Sequence, residues 1–358
     1  MNQAQKAPSE RAHERKLVIA SESYPLQPPR LFQEVSGQSE QATELVANPV
    51  FMTVTPGARV WFNGVGTIIL DQNDEVVFRF GNTGPARFHE EAVKTHLPGR
   101  AMVLGTIGAH CYYHWMVDVL PRLEVIKRAG YDWDSVDHFL VRDFDLGFQK
   151  ATLEVLGIPA SKIVCTKDSP AYTADELLHV ELRNFVGMRM HRFVPEFLRS
   201  CFLKSEDIQE RPQRKIFITR PKGVNRAVLN EQELLSLLTD HGFQEVTMEG
   251  YSLFEQAALF ASADVIVTTH GGALTNLVYC RPGTKVIELF GEHVFSYYYG
   301  LANLCGLDYS AVLRRADQID LVIDAEVGNR MNNQTETIRQ DADINIGALS
   351  RALSAIKA

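Results

Sequence analysis

Residues 265–276 of the chain read VIVTTHGGALTN. The first five are apolar or β-branched, as in a fully buried strand, and the two glycines precede a stretch with helical spacing. Such a junction aims the N–H groups of a helix start at the carboxyl edge of a parallel sheet, where phosphate groups bind. We therefore predict a phosphate site at His270, Gly271 and Gly272. A tight strand-to-helix turn that binds nothing is the alternative.

Two polar side chains follow the glycines. Thr275 carries a hydroxyl and Asn276 an amide, and both can donate hydrogen bonds to a phosphate or a sugar. Together with His270 they are predicted to contact the ligand of this site.

The regions on both sides of this stretch alternate between strand and helix. Asn230 and Ser252 each begin a capping-box pattern, and Leu229 and Leu234 have the spacing of a hydrophobic staple. Regular alternation of this kind predicts a parallel sheet with helical crossovers. The predicted strands cover residues 215–219, 243–248, 264–268 and 285–290.

A basic loop directly follows the first of these strands. Arg220, Lys222 and Arg226 could bind a diphosphate, since arginine binds phosphate bidentately and lysine supplies a point charge. The alternative is an exposed, solvated loop. Glu288, at the end of a later strand, is predicted to accept hydrogen bonds from ribose hydroxyls.

A third cluster lies on the amphipathic helix predicted from Tyr112 to Ala129. His114 and Asp118 are four residues apart and so share one helix face, where either could take a proton. Trp115, next to His114, is predicted to offer an apolar or stacking face to a bound ligand. A metal site completed by His110 and a purely structural pair are the alternatives.

Composition limits the classes of protein. The chain has 358 residues, enough for two domains, and its formal net charge of -8 argues against a general nucleic-acid binder. The five cysteines form no CxxC pair, which favours a reducing compartment and no structural zinc. No secretory signal and no run of 18 apolar residues is found, so we expect a cytoplasmic protein without a transmembrane segment.

Shifts in composition suggest the domain boundaries. The first segment is polar and rich in Gln, Pro and Ser, and a charged link around Pro212 precedes the regular alternation. A β-hairpin is predicted within 60–78. The predicted segments are a polar N-terminal arm at 1–50, an α/β domain at 51–205, a Rossmann-like domain at 213–340 and a C-terminal helix at 341–358.

Several familiar motifs are missing from the sequence. There is no GxxxxGK[ST] and no GxGxxG, so P-loop hydrolases and ordinary dehydrogenases lack their phosphate loops. There is also no GxSxG, which argues against an esterase despite the His-Gly-Gly triplet.

Four motifs in order resemble glycosyltransferase family 61. They are residues 113–123, the strand end at 218–220 with Arg226, Asn230 and Glu231, residues 270–276, and the stretch 282–288. The family usually has Gly-Ala-Gly after the histidine, where this chain has Gly-Gly-Ala. The resemblance implies a GT-B architecture of two Rossmann-like domains facing across a cleft, with the last helix returning to the first domain. It also implies that the domain at 51–205 lies on the acceptor side and that the domain at 213–340 binds the nucleotide-sugar.

The resemblance also implies a function. We expect an inverting, metal-independent hexosyl- or pentosyltransferase that moves a sugar from a nucleotide-sugar to a hydroxyl acceptor, such as a glycan in surface or capsular polysaccharide synthesis. No cofactor is expected, because the nucleotide-sugar is a substrate. Asp118 is expected to be the base, with His114 positioning it or substituting for it. The alternative is an inactive nucleotide- or glycan-binding protein of the same fold, and a homo-oligomer is left open.

Overall fold

The computed structural model describes residues 13–33, 43–62, 66–81, 95–105, 108–167, 169, 171–182, 189–204, 214–220, 227–291, 296–314 and 341–357. They divide into two compact units. The first contains the described residues within 1–20 and 49–182, and the second those within 21–48 and 183–358.

Within these ranges the strands are β1 (Glu14–Ile19), β2 (Glu22–Pro25), β3 (Arg30–Leu31), β4 (Glu44–Ala47), β5 (Val50–Phe62), β6 (Gly66–Leu70), β7 (Val76–Gly81), β8 (Thr95–Val103), β9 (His138–Val141), β10 (Ile163–Cys165), β11 (Ala171–Val180), β12 (Arg214–Thr219), β13 (Gln244–Thr247), β14 (Ala263–Thr269), β15 (Lys285–Leu289) and β16 (Asp308–Val312). The α-helices are α1 (Tyr112–His114), α2 (Pro121–Arg128), α3 (Gly147–Val155), α4 (Phe193–Phe202), α5 (Glu231–Asp240), α6 (Leu253–Ala261), α7 (Tyr297–Leu304) and α8 (Ile346–Lys357).

The sheet of the first unit is mixed. Its strand order is β10-β9-β8-β11-β5-β6-β7, with β1 paired to β5. The pairs from β10 to β11 are parallel, whereas β5, β6 and β7 pair antiparallel. The predicted hairpin is confirmed, and this sheet is Rossmann-like only in its parallel half, from β10 to β11. Strands joined by only a few residues can pair only antiparallel, so β5, β6 and β7 cannot extend the parallel half.

The sheet of the second unit is parallel throughout its described strands. Its order is β13-β12-β14-β15-β16-β3. From β12 the chain adds β13 on one side and then β14 on the other. The direction of winding therefore changes between β12 and β14, which is where doubly wound sheets bind ligands at the carboxyl ends of their strands.

The N-terminal segment contributes strands to both units. β1 pairs with β5, β2 pairs with β4, and β3 pairs with β16 of the parallel sheet. The prediction of a polar arm over 1–50 is therefore wrong for its described residues. The composition misled because these are short edge strands with exposed faces, on which even Leu17 and Val46 are half exposed.

The C-terminal helix packs on the second unit. Leu349 and Leu353 of α8 are buried in one core with Leu234, Leu238 and Val312. The prediction that this helix returns to the first domain is wrong, since its apolar face is buried by α5 and β16.

Asn230 explains part of this docking. Its Nδ2 donates to the Ile344 carbonyl at 2.8 Å, and its Oδ1 accepts from the Ile344 N–H at 2.9 Å. The side chain makes no hydrogen bond that caps α5, and Leu229 is exposed, so the predicted capping box and staple are not formed there. The capping box predicted at Ser252 is confirmed.

The position of helix α4 shows that the boundary predicted between the two domains is misplaced. It lies in the second unit, although the first domain is predicted to run to residue 205. Arg199 of α4 donates to the carbonyls of Val278 and Cys280, which ties this helix to the segment after β14. These backbone contacts leave no signal in the composition of the sequence.

Candidate active site

The parallel sheet brings Arg220 and His270 to its carboxyl edge. Arg220 directly follows β12 and His270 directly follows β14, on the two sides of the winding change. Arg220 Nε donates to Thr269 Oγ1 at 3.2 Å, and its Nη2 donates to the His270 carbonyl at 2.7 Å. A guanidinium is thereby fixed at the position that the sequence predicts for a phosphate ligand.

Gly271 permits this close approach. Its backbone is extended, with φ 171°, so its conformation does not require glycine. A Cβ at this position, however, would lie 1.8 Å from Arg220 Nη2. Glycine is therefore needed here for space, and the residue that fills the space is the predicted phosphate-binding arginine.

His270 is fixed by the strands beside it. Its Nδ1 lies 2.5 Å from Glu288 Oε1, and the Glu288 Oε2 accepts a hydrogen bond from the Tyr309 hydroxyl at 2.5 Å. Glu288 is fully buried. Because both of its oxygens are bonded inside the protein, the prediction that Glu288 binds ribose hydroxyls is wrong.

The helix predicted after the strand is confirmed as a 3-10 helix that begins at the second glycine (Gly272–Tyr279). Thr275 and Asn276 are both buried in it. Asn276 Nδ2 donates to Gln256 Oε1 at 3.0 Å, and Thr275 Oγ1 has no hydrogen-bond partner in the part of the chain that the structure describes. Neither side chain is exposed to a ligand here, which does not agree with their predicted role as direct donor contacts. Lys222 and Arg226 lie outside the described residues.

The first unit carries the predicted His–Asp pair. His114 Nδ1 lies 2.7 Å from Asp118 Oδ2; the His114 side chain is 24% exposed and that of Asp118 only 1%. Asp118 Oδ1 has no hydrogen-bond partner among the described residues. The structure therefore makes the imidazole the accessible member of the pair and the carboxylate the buried one.

The helix that carries this pair is irregular. Between α1 and α2, residues Trp115–Val119 form a π-helical turn, and Pro121 begins α2, where its missing N–H is tolerated. The wider turn is marked by the Leu120 N–H donating to the Trp115 carbonyl, five residues back. The sequence predicts one continuous α-helix here, because hydrophobic spacing does not distinguish a single wide turn.

Arg122 binds the backbone of Asp118 and holds it in place. Its Nε donates to the Asp118 carbonyl at 2.9 Å, and its two terminal nitrogens donate to the carbonyls of Val180 and Leu182. Burial lowers the pKa of Arg122 to about 10, against the opposing effect of the Asp118 charge. Arg122 therefore remains charged at neutral pH, with its guanidinium committed to backbone carbonyls.

Trp115 does not have its predicted role. It is fully buried, and its indole Nε1 donates to Thr152 Oγ1 at 2.8 Å. Its ring packs edge-on against Phe148. The prediction that Trp115 stacks on a sugar is therefore wrong, because on this helix the tryptophan faces the core while His114 faces outward.

Sequence reasoning missed two residues of these clusters. Tyr309 lies on β16, two residues before Ala311, which pairs with Glu288 of β15. This register brings the Tyr309 hydroxyl to the Glu288 carboxylate. Arg122 was visible only as part of a motif. The pairing of β15 with β16 would have identified Tyr309 as a neighbour of Glu288, but a single sequence does not show which strands pair.

The two large sheets, one of them all-parallel, are consistent with a Rossmann-like α/β glycosyltransferase fold. The comparison with known families identifies it further. Residues 112–287 match the family described as Glycosyltransferase 61, and the chain carries a domain of that family.

Two curated proteins are similar to parts of the chain. One is the EGF domain-specific O-linked N-acetylglucosamine transferase of Drosophila melanogaster, 32% identical over 123 residues, which are 33% of this chain and 23% of that protein. The other is the protein O-linked-mannose beta-1,4-N-acetylglucosaminyltransferase 2 of Takifugu rubripes, 29% identical over 107 residues, which are 28% of this chain and 18% of that protein. The similarity thus spans less than a quarter of either relative.

Membrane-spanning helices and metal-binding clusters are both absent from the described residues. No helix there is long and apolar enough to cross a bilayer. No group of three or more His, Cys, Asp or Glu side chains there is arranged to bind a metal ion.

Proposed function

We propose that this protein is an inverting glycosyltransferase that moves a sugar from a nucleotide-sugar to a hydroxyl acceptor without a metal ion. The observation that carries the proposal is the contact between Arg220 and Gly271, which fixes a guanidinium at the winding change of a parallel sheet. Charge-assisted hydrogen bonds from arginine are suited to a leaving diphosphate. The family match over residues 112–287 supports the reaction class.

In the proposed reaction the acceptor oxygen attacks the anomeric carbon from the face opposite the diphosphate. The bond from the anomeric carbon to the diphosphate oxygen breaks, and the diphosphate leaves with the bonding electrons. Arg220 and the backbone at Gly271 and Gly272 stabilise the charge that develops on it. Lys222 and Arg226 remain proposed contacts of the same diphosphate.

The acceptor proton needs a base. Nδ1 of His114 donates to the buried Asp118 carboxylate, so in the neutral ring Nε2 is the atom that can accept a proton. Exposure favours His114 over Asp118 for direct contact with an acceptor. We therefore assign proton removal to His114 and its orientation to Asp118, reversing the order of roles expected from the sequence.

The names of the two relatives suggest the first donor to test. Both are described as transferring N-acetylglucosamine, so we propose a sugar of that type as donor and a hydroxyl of a surface or capsular glycan as acceptor. A cytoplasmic location and the GT-B arrangement of the two units belong to the same proposal.

The test is a donor screen followed by a turnover assay. UDP-N-acetylglucosamine, UDP-glucose and GDP-mannose are first screened for a rise in the melting temperature, since selective binding to the folded state stabilises it. Release of the nucleoside diphosphate is then followed with a panel of glycan acceptors, with and without EDTA.

Each outcome of the screen has a meaning. Turnover with an inverted anomeric product in EDTA supports the proposal. Activity that EDTA abolishes and Mn²⁺ restores contradicts metal independence. Binding of a nucleotide-sugar without turnover on any acceptor favours the inactive binding protein, and no binding by any of the three contradicts the proposed donor class.

A further inference from the structure

The imidazole of His114 packs against the backbone of Gly108, which lies in the turn before α1. A Cβ added to Gly108 would lie 2.8 Å from His114 Cδ2 and 3.1 Å from His114 Cγ. Nonbonded carbon atoms are normally about 3.5–4.0 Å apart, so a side chain at position 108 would displace the ring. The missing side chain of Gly108 therefore provides space that the imidazole needs.

Two contacts define the orientation of this ring. Nδ1 lies 2.7 Å from Asp118 Oδ2, while Cδ2 and Cγ are the ring atoms closest to the position of a Cβ on Gly108. Nδ1 and Cδ2 are the two ring atoms bonded to Cγ, and Nε2 lies at the far edge of the imidazole. Both contacts are thus made near the Cγ end of the ring, and Nε2 is the nitrogen that can accept a proton when Nδ1 carries one.

The turn that contains Gly108 is itself anchored. The Cys111 N–H donates to the Gly108 carbonyl at 2.7 Å, and Gly108 has a φ of 88°, a conformation that favours glycine. The Ala109 carbonyl accepts a hydrogen bond from Nε2 of the buried Gln149 of α3 at 3.1 Å, and the same nitrogen donates to the Asp143 carbonyl. The turn cannot move away from the ring without disturbing these hydrogen bonds.

We propose that Gly108 is a positioning residue for His114: its bare backbone lets the imidazole keep Nδ1 on Asp118 and present Nε2 to the acceptor hydroxyl. The inference rests on the proposed function, in which His114 removes the acceptor proton, and it adds a residue that acts on the base rather than on a substrate. Gly108 acts through the ring, and Gln149 acts through the turn.

The proposal predicts how Gly108→Ala changes the kinetics. The methyl group would require the ring to turn or shift, which disturbs the 2.7 Å contact between Nδ1 and Asp118 Oδ2. We expect kcat to fall about 10²-fold, the effect that a misplacement of about 1 Å can have. The KM for the nucleotide-sugar should not change, because the proposed diphosphate site at Arg220 belongs to the second unit.

Gly130→Ala is the matched control for backbone strain. Gly130 lies in the same unit and has a φ of 98°, but a Cβ there would meet no atom within 4 Å. Alanine is therefore strained at both positions, and only at position 108 does it also collide with a ring. We expect Gly130→Ala to lower stability while its kcat stays at the wild-type value.

The ring also gives a readout that does not depend on turnover. Nitrogen-15 chemical shifts distinguish a protonated from an unprotonated imidazole nitrogen, and His114→Gln identifies the signals of His114. In mildly alkaline buffer we expect the wild type and Gly130→Ala to show the neutral ring protonated at Nδ1, since a hydrogen bond to a carboxylate selects that form. Gly108→Ala should show a mixture of both neutral forms.

A second pair of variants applies if Gly108→Ala does not fold. Asparagine tolerates a positive φ better than alanine does and carries the same Cβ, so Gly108→Asn is compared with Gly130→Asn. If Gly108→Asn also fails to fold, Gly108→Ala is made together with His114→Ala, which removes the ring. Recovery of folding in this double variant supports the proposal, and continued failure overturns it.

The outcomes separate this inference from the proposed function. A wild-type protein without turnover on any donor contradicts the proposed function, and the positioning of the ring is then decided by the nitrogen-15 spectra. A folded Gly108→Ala protein that keeps the wild-type signals of His114 overturns the inference whatever the activity. Altered signals combined with the kcat of Gly130→Ala overturn the role of Gly108 in catalysis.

Discussion

Arg220 occupies the space that a side chain at residue 271 would need. Its Nη2 donates to the His270 carbonyl at 2.7 Å, and an added Cβ on Gly271 would lie 1.8 Å from the same nitrogen. The glycine and the arginine are therefore one structural feature, although 50 residues separate the two contact partners Arg220 and His270 along the chain.

Gly271→Ala tests this feature directly. The methyl group would displace the guanidinium without imposing backbone strain, since the backbone at Gly271 is extended. We expect the affinity for the bound nucleotide-sugar to fall at least about tenfold, because a lost hydrogen bond to a charged group costs roughly 1.5–3 kcal/mol. Gly147→Ala is the control, as a Cβ there meets no atom within 4 Å. Equal affinities of the two variants would contradict the role of Arg220.

Asp118→Asn tests the orientation of His114. An asparagine keeps the size of the side chain but no longer favours the ring form with Nδ1 protonated and Nε2 ready to accept. We expect kcat to fall by about 10²- to 10⁴-fold, the usual contribution of general base catalysis. The affinity for the nucleotide-sugar should not change. Glu124 is a partly exposed carboxylate of the same helical region that pairs with Arg128, and Glu124→Gln should leave kcat unchanged. Near-normal turnover of Asp118→Asn would remove the pair from catalysis.

Trp115→Phe tests whether Trp115 is a core residue or stacks on a sugar. The variant loses the hydrogen bond to Thr152 and leaves a gap in a fully buried site. We expect the free energy of unfolding to fall by about 1–3 kcal/mol, with the KM for the acceptor unchanged in the folded protein. Trp133→Phe, on the partly exposed 3-10 turn of the same unit, should change stability by no more than about 0.5 kcal/mol. A raised acceptor KM with normal stability would restore the stacking role.

Asn230→Ala measures what ties the C-terminal segment to the second unit. The substitution removes both hydrogen bonds to the backbone of Ile344. We expect denaturant unfolding to show a loss of about 1–3 kcal/mol, since the buried N–H and carbonyl of Ile344 lose their partner. Asn73→Ala in the exposed β6–β7 turn is the control. If the two variants unfold alike, the segment is docked by its apolar contacts alone.

Local patterns predicted much of the second unit. Unbroken apolar runs predict β12, β14 and β15 to within a residue or two, because a strand buried on both faces tolerates few polar side chains. The same stretches predict the edge at which Arg220 and His270 meet, since parallel strands end at one side of a sheet. The His114–Asp118 contact follows from helical spacing of four residues.

Other predictions failed where one pattern fits two environments. A tryptophan on an amphipathic helix can face a ligand or the core, and Trp115 faces the core. A carboxylate at the end of a strand can bind a ribose or be bonded within the sheet, and Glu288 is bonded within the sheet. An asparagine before a helix can cap it or bond to a distant segment, and Asn230 bonds to Ile344.

The amino-acid sequence by itself determined strands β12 to β15 and helices α5, α6 and α8 of the second unit, the edge where its ligand groups gather, and the family, because these depend on hydrophobic periodicity and on short-range sequence patterns. Only the tertiary structure decided which side chains are reachable. Burial and hydrogen-bond partners come from residues far apart in the chain, as when Tyr309 meets Glu288 or Gly271 makes room for Arg220. Because of those long-range contacts, Glu288 is bonded to His270 within the protein and does not bind a ribose as the sequence predicts. They also make His114, rather than Asp118, the exposed member of its pair.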